Sequence, residues 1–176
     1  MLDSQEYCLR LIEKEDLIYR TNWLNDPEVV NTLMFEWPLS IAGTKKWFQN
    51  QLLDPTRKNF IIVDKKSDEP IGMTGLRDIS VRHLRAQFYL TIGNKNFWGK
   101  RLPDITIPLV LEYAFLELGL NRVYLYTLLN NERARKVYER NGFKHEGILR
   151  KHYFNKGDYQ DLWVMSYLKA DWSNEV

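Results

Sequence analysis

Tyr138 is the side chain whose setting most invites a chemical reading. It lies four residues after Ala134 on the same helical face, in a run that opens on Asn131 and closes on Asn141-Gly142-Phe143. Asn131 suits the cap of a helix and Gly142 its end, so the phenol is held at a fixed place near a strand end. Taken alone, the run also describes a tyrosine simply packed under a helix. Glu36, in Phe35-Glu36-Trp37-Pro38, is a carboxylate placed to hold a cationic amine, and equally an exposed acid at a helix end. His83, His145 and His152 have no spacing that gathers two on one helical face or with a cysteine, so no metal site is expected. Cys8 stands in a strand with no motif around it, the setting of a small hydrophobe rather than of a nucleophile.

The scaffold that positions these residues can be read from composition and pattern. A chain of 176 residues corresponds to one domain over residues 1–176, at about 150 residues per domain. With 44% hydrophobic and 27% charged residues, the chain has no apolar run near the roughly 18 residues that span a bilayer. Its net charge of +2 is spread along the chain and points to neither nucleic acid nor an anionic membrane. The single cysteine and a start with neither basic residues nor an apolar stretch predict a reducing, cytoplasmic compartment.

Alternation makes residues 7–12 a strand that hands over to a helix through about Asn22. Asn25-Asp26-Pro27-Glu28 reads as a cap and proline start for a short helix. Residues 40–53 form an amphipathic helix with Trp47, Phe48, Leu52 and Leu53 on its apolar side. Residues 60–63, 70–76 and 84–92 read as three antiparallel strands. A buried helix over 109–118 ends at Gly119, a strand follows over 122–128, and a second helix runs over 131–140. Residues 143–154 and 159–168 make a final hairpin around Asn155-Lys156-Gly157-Asp158. This order gives a mixed α/β sandwich in which antiparallel pairs surround one βαβ crossover.

Several runs then carry a resemblance: residues 90–93, Trp98-Gly99-Lys100, residues 111–120, residues 131–143, Glu146-Gly147 and Tyr159-Gln160-Asp161. In this order the chain resembles the GNAT family of acetyl-CoA-dependent N-acetyltransferases, nearest to its RimJ/RimL and spermidine-acetyltransferase-like branch. Arg10-Leu11, Phe35-Glu36-Trp37-Pro38 and Arg85-Ala86-Gln87-Phe88 add weaker matches. The resemblance implies an α/β (α+β) fold: a mixed, mostly antiparallel central sheet flanked by helices, with a V-shaped splay between the fourth and fifth strands. Acetyl-CoA, the implied cosubstrate, would lie in the V against Leu90, Thr91, Ile92 and Asn131. Its diphosphate would sit at the next helix N-terminus, around Trp98, Gly99, Lys100, Arg101, Leu102 and Pro103.

The same resemblance gives Tyr138 the part of donor to the departing sulfur. Gln87 stands where that branch usually has glutamate, so the acceptor amine would give its proton to water, with Glu36 and Gln87 lining the acceptor site. The phosphate loop departs from the family too. Arg101 and Pro103 replace two glycines, Asp104 brings a negative charge, and Pro108 is expected to delay the regular helix to about Thr106. Lys100 and Arg101 offset this by direct phosphate contact, or the site is weakened. The implied function is transfer of an acetyl group to a primary amine of a small molecule, such as a polyamine or aminosugar, or of a protein N-terminus. The alternative is a catalytically weakened GNAT-fold protein that binds ligands or regulates. Trp163, Met165, Tyr167 and Trp172 make the C-terminal hairpin unusually apolar, which predicts a homodimer.

Overall fold

Runs rich in β-branched and aromatic residues become one sheet of eight strands. The computed structural model describes residues 2–35 and 38–172. Its strands are β1 (Leu2–Asp3), β2 (Tyr7–Leu11), β3 (Lys58–Asp64), β4 (Glu69–Ser80), β5 (Arg85–Ile92), β6 (Arg122–Leu128), β7 (Lys144–Asn155) and β8 (Asp158–Leu168). They lie in the order β1-β2-β3-β4-β5-β6-β8-β7. The β5–β6 pair alone is parallel among these pairings. β1 has no counterpart in the sequence reading, so the expected fourth and fifth strands are β5 and β6.

The helices are α1 (Leu17–Trp23), α2 (Pro27–Val30), α3 (Ile41–Leu52), α4 (Leu102–Glu112), α5 (Glu132–Arg140) and α6 (Lys169–Trp172). Caps behave as their residue types require: Asp26, Ser40 and Asn131 each accept from a backbone N–H of the first turn of α2, α3 and α5. Strand alternation divides the core between the two faces of the sheet. Phe60, Ile62, Leu76 and Phe88 pack with Leu102, Ile107, Val110 and Phe115 under α4. Ile61, Val63 and Met73 face Leu17, Trp23 and Phe48 from α1 and α3 on the other side.

Four expectations are corrected. Leu52 and Leu53 are 62% and 88% exposed, because they are the last residue of α3 and its C-cap and lie beyond Thr44 and Phe48, the helix residues that are buried. The helix expected over 109–118 begins at Leu102, without the delay to Thr106, and gives way to a π-helical turn over Tyr113–Glu117. Pro103 sits at a position of the first turn whose N–H has no partner inside the helix, so it costs nothing there. Pro108 removes one bond and the helix continues through it. The four apolar residues singled out in and after the hairpin do not form an exposed face; its exposed apolar residues are Ile148, Phe154, Tyr159 and Leu168. Met165 and Tyr167 are buried, while Trp163 and Trp172 pack against the same core, Trp172 at 5.8 Å from Phe115.

The consequence for function lies between β5 and β6. They pair only at Arg85↔Arg122, Ala86↔Val123 and Gln87↔Tyr124. Beyond this point β5 stays bonded to β4 as far as Ile92↔Gly72, and β6 to β8 as far as Leu128↔Leu162. Each strand is therefore held by its outer neighbour while the facing edges separate into a V. At the closed end, the Arg122 guanidinium grips Glu146 and Ser166, tying β6 to the hairpin. Glu146 is held well below the usual carboxylate range, to about 2, chiefly by that guanidinium.

Candidate active site

A cavity of about 820 Å³ occupies the V and continues under α1 and α2. Leu90, Thr91, Ile92, Trp98, Gly99, Lys100, Arg101, Pro103, Asn131, Tyr138 and Gln87 all line it, so the residues expected at one site do converge. Leu102 does not: its side chain is fully buried in the core under α4, because the first helical residue turns inward there. Glu36, with Trp37, lies outside the described residues.

Tyr138 reaches the cavity because α5 ends abruptly. The N–H of Phe143 donates to the Tyr138 carbonyl at 3.0 Å and that of Gly142 to the Glu139 carbonyl at 3.1 Å. These are the two bonds of a Schellman ending, with Gly142 at φ +85°. The apolar contact of that motif is Tyr138 against Phe143, ring centroids 5.8 Å apart, and the Tyr138 ring also meets Phe88 edge-on at 6.3 Å. Its hydroxyl has no hydrogen-bond partner among the described residues. Burial pushes the phenol up to about 12, so it is a neutral donor at any physiological pH.

At the α4 end, the left-handed backbone of the loop falls on Gly99, at φ +78°, while Arg101 has φ −76° and carries no strain. Asp104 is no threat to a bound anion. Burial opposes its ionisation, yet hydrogen bonds from Arg140, Arg101 and Asn141 outweigh that and hold its carboxyl below the ordinary range. Pro103 offers no N–H, and that of Asp104 donates to the Arg101 carbonyl at 3.0 Å. Positive charge is instead supplied by side chains, with Lys100, Arg101, Arg133, Lys136 and Arg140 all on the cavity wall. Trp98 turns its indole N–H onto the Ile92 carbonyl at 2.9 Å, which fixes the loop to the end of β5 and occupies that carbonyl.

The opposite end is built on the α1/α3 face of the sheet. Arg77 and Gln87 are direct cross-strand partners on β4 and β5, and Tyr89 follows on the same face, its hydroxyl donating to Asn59 at 2.6 Å. Arg20 from α1 lines the same cavity near Tyr89, its guanidinium 3.8 Å from the Trp47 ring. Arg20, Arg77, Asn59 and Tyr89 were not singled out from sequence. The alternation of β4 and β5 could have paired Arg77 with Gln87, but nothing local places Arg20 above them.

The remaining candidates are structural. Asp161 accepts the Lys151 N–H at 2.7 Å across an irregular stretch of the hairpin. His145 packs on Trp163 at 4.4 Å and His152 on Tyr126 at 6.1 Å. Among the described residues no three His, Cys, Asp or Glu side chains gather as a metal site, and no helix is long and apolar enough to cross a membrane.

Comparison with known proteins agrees with this geometry. The sequence pattern of the acetyltransferase (GNAT) domain matches residues 7–144. The spermidine N(1)-acetyltransferase of Vibrio cholerae is 29% identical over 172 residues, covering 97% of this chain and 98% of that protein. A crystal structure of the spermidine N-acetyltransferase from Vibrio cholerae in complex with CoA and spermine superimposes with a TM-score of 0.91 at 27% identity, over 97% of this chain and 100% of that one. A dodecameric structure of the enzyme from that organism gives 0.85 at 27% identity, over 98% and 99% of the two chains. Matched over most of its length by that pattern and end to end by named enzymes, this chain belongs to the GNAT acetyltransferase family, as an N-acetyltransferase that draws its acetyl group from acetyl-CoA.

Proposed function

We propose that the cavity holds acetyl-CoA and a small-molecule primary amine together and that the acetyl group passes directly between them, with Tyr138 as donor to the sulfur. The observation that carries this is the neutral Tyr138 phenol without a hydrogen-bond partner, in the wall of the V. The fit to CoA rests on two features. The separated edges of β5 and β6 offer main-chain groups to pantetheine amides, and five basic side chains, Lys100, Arg101, Arg133, Lys136 and Arg140, surround the end where phosphates belong.

In the reaction the deprotonated amine nitrogen attacks the thioester carbon, a C–N bond forms, and the C–S bond breaks. The proton leaving nitrogen goes to water, since Gln87 is an amide and accepts none. The departing thiolate, with a pKa of about 8.5, is a weaker base than a phenolate whose acid lies at about 12. Full proton transfer from Tyr138 is therefore uphill by roughly 3.5 units, or about 5 kcal/mol, and its contribution is a hydrogen bond to the sulfur as negative charge develops there.

A further part of this reading concerns the loop before α4. Replacing Arg101 and Pro103 together by glycine is expected to weaken acetyl-CoA binding by about tenfold in calorimetry, because a charge-assisted contact is lost and no degraded helix end exists to be repaired. Tighter binding would remove Arg101 from the phosphate contacts. Likeness to spermidine acetyltransferases supports a small-molecule acceptor, and polyamines belong in the first assay panel. Likeness to a dodecamer supports a homo-oligomer, with a light-scattering mass at a multiple of 21.1 kDa. Release of CoA thiol in the presence of a panel of amines, with mass spectrometry of the acetylated product, tests the whole reading. Bound acetyl-CoA without acetylation of any amine would overturn it.

A further inference from the structure

The acceptor end of the cavity carries a charge that a polycationic substrate does not match. Arg20 is only 5% exposed, and its Nη1 has no hydrogen-bond partner among the described residues. Arg77 lines the same wall, with its Nε likewise buried and unpartnered. Arg57 is the third guanidinium there and is neutralised by Asp54 at 3.0 Å. Among the described residues no carboxylate answers Arg20 or Arg77. Glu28 is the one acid on the described cavity wall, and it lies exposed at the mouth, paired with Lys95 at 3.2 Å.

The electrostatics of the neighbours point the same way. Burial lowers the Arg20 guanidinium to about 10, still fully charged at neutral pH, and raises the Tyr89 phenol, which therefore stays neutral and supplies no counter-charge. The aromatic rings of Trp47 and Phe35 over Arg20 offset part of its desolvation and leave its buried Nη1 unsatisfied. A buried guanidinium with an empty donor is costly unless something completes it. Planar N–H donors at a cavity wall match the oxygens of a carboxylate or phosphate, while an ammonium group would meet like charge.

We propose that the acceptor is a small molecule bearing both the primary amine and an anionic oxygen group, and that Arg20 and Arg77 bind that group while the amine faces the V. Cross-strand pairing places Arg77 beside Gln87, which itself borders the edge of β5 where the V begins, so the anion site and the transfer site adjoin. This rests on reading the cavity as the site of acetyl transfer.

Matched acceptors test it on the full chain with acetyl-CoA: γ-aminobutyrate, its diamine counterpart putrescine, and the pair O-phosphoethanolamine and ethanolamine. At least one anionic member is expected to exceed its partner in kcat/KM by about tenfold or more, and which one does so separates carboxylate from phosphate. Arg77→Met is expected to lower that ratio by about tenfold, and Arg20→Met likewise. The ratio is independent of the fraction of folded enzyme, so a poorly folding variant does not blur it. Preference for putrescine over γ-aminobutyrate together with preference for ethanolamine over O-phosphoethanolamine, or a ratio unchanged in both variants, would overturn the proposal. Should no amine be acetylated although acetyl-CoA binds, the transfer reading fails separately. Calorimetry of the two anionic amines into CoA-saturated protein then decides: binding that Arg77→Met abolishes upholds the anion site, and no binding of either overturns it.

Discussion

Tyr138→Phe is expected to lower kcat about a hundredfold while leaving the affinity for acetyl-CoA nearly unchanged. The ring meets Phe88 and Phe143 through its edges and face, contacts that phenylalanine reproduces, so position and stability survive the change. What is lost is one neutral hydroxyl, without a partner among the described residues, that would bond to sulfur only as its charge grows. An interaction made in the transition state and absent from the ground state appears in kcat and not in binding. Because burial pushes this phenol up to about 12, the rate should also show no loss through Tyr138 ionisation across the neutral and mildly alkaline range. Steady-state and single-turnover rates, beside a calorimetric titration with acetyl-CoA, measure both arms. An unchanged single-turnover rate would remove Tyr138 from the chemistry.

Gly142→Ala is expected to cost about 3 kcal/mol or more, a large share of the roughly 5–15 kcal/mol that holds a domain folded. Two terms add. At φ +85° a side chain is strained by about 1–2 kcal/mol. The added Cβ would also lie 2.0 Å from Cε2 of Tyr167, a buried ring wedged between Phe115 and Phe143. Relief requires Tyr167 or the end of α5 to move, and the end of α5 is what aims Tyr138. Denaturant unfolding followed by tryptophan fluorescence is expected to show the lowered midpoint. Full native stability in this variant would mean that the Schellman ending is not what holds the helix in place.

Much of the site's frame was legible because it is written in local patterns. Asn131 and Gly142 bound α5 by cap and left-handed-end chemistry that depends on no distant contact, so the place of Tyr138 on its helix followed from spacing alone. The strands around Phe60, Met73 and Phe88, the parallel crossover, and the Asn155-Lys156-Gly157-Asp158 turn followed from alternation and turn residues. Local signals also misled where burial decides. Pro103 and Pro108 suggest a late helix start, yet the terminal N–H groups of a helix are unbonded anyway and the apolar face of α4 is held down by the core. The hairpin's apolar character suggests a partner through Met165 and Tyr167, but these two point into their own domain core and the exposed apolar residues of the hairpin are Ile148, Phe154, Tyr159 and Leu168.

Only tertiary structure decided the charge of the site. Whether Asp104 repels a phosphate depends on Arg140, more than thirty residues away, which pairs with it beside the nearby Arg101, and on a hydrogen bond from Asn141. Whether that end of the cavity attracts a cation or an anion depends on Arg20, from α1, coming to lie near Tyr89 on the same cavity wall as Arg77 and Gln87. Sequence determines helix and strand through interactions a few residues apart, whereas the free energy of a buried charge depends on every neighbour that does or does not compensate it, and those neighbours are assembled only by the fold.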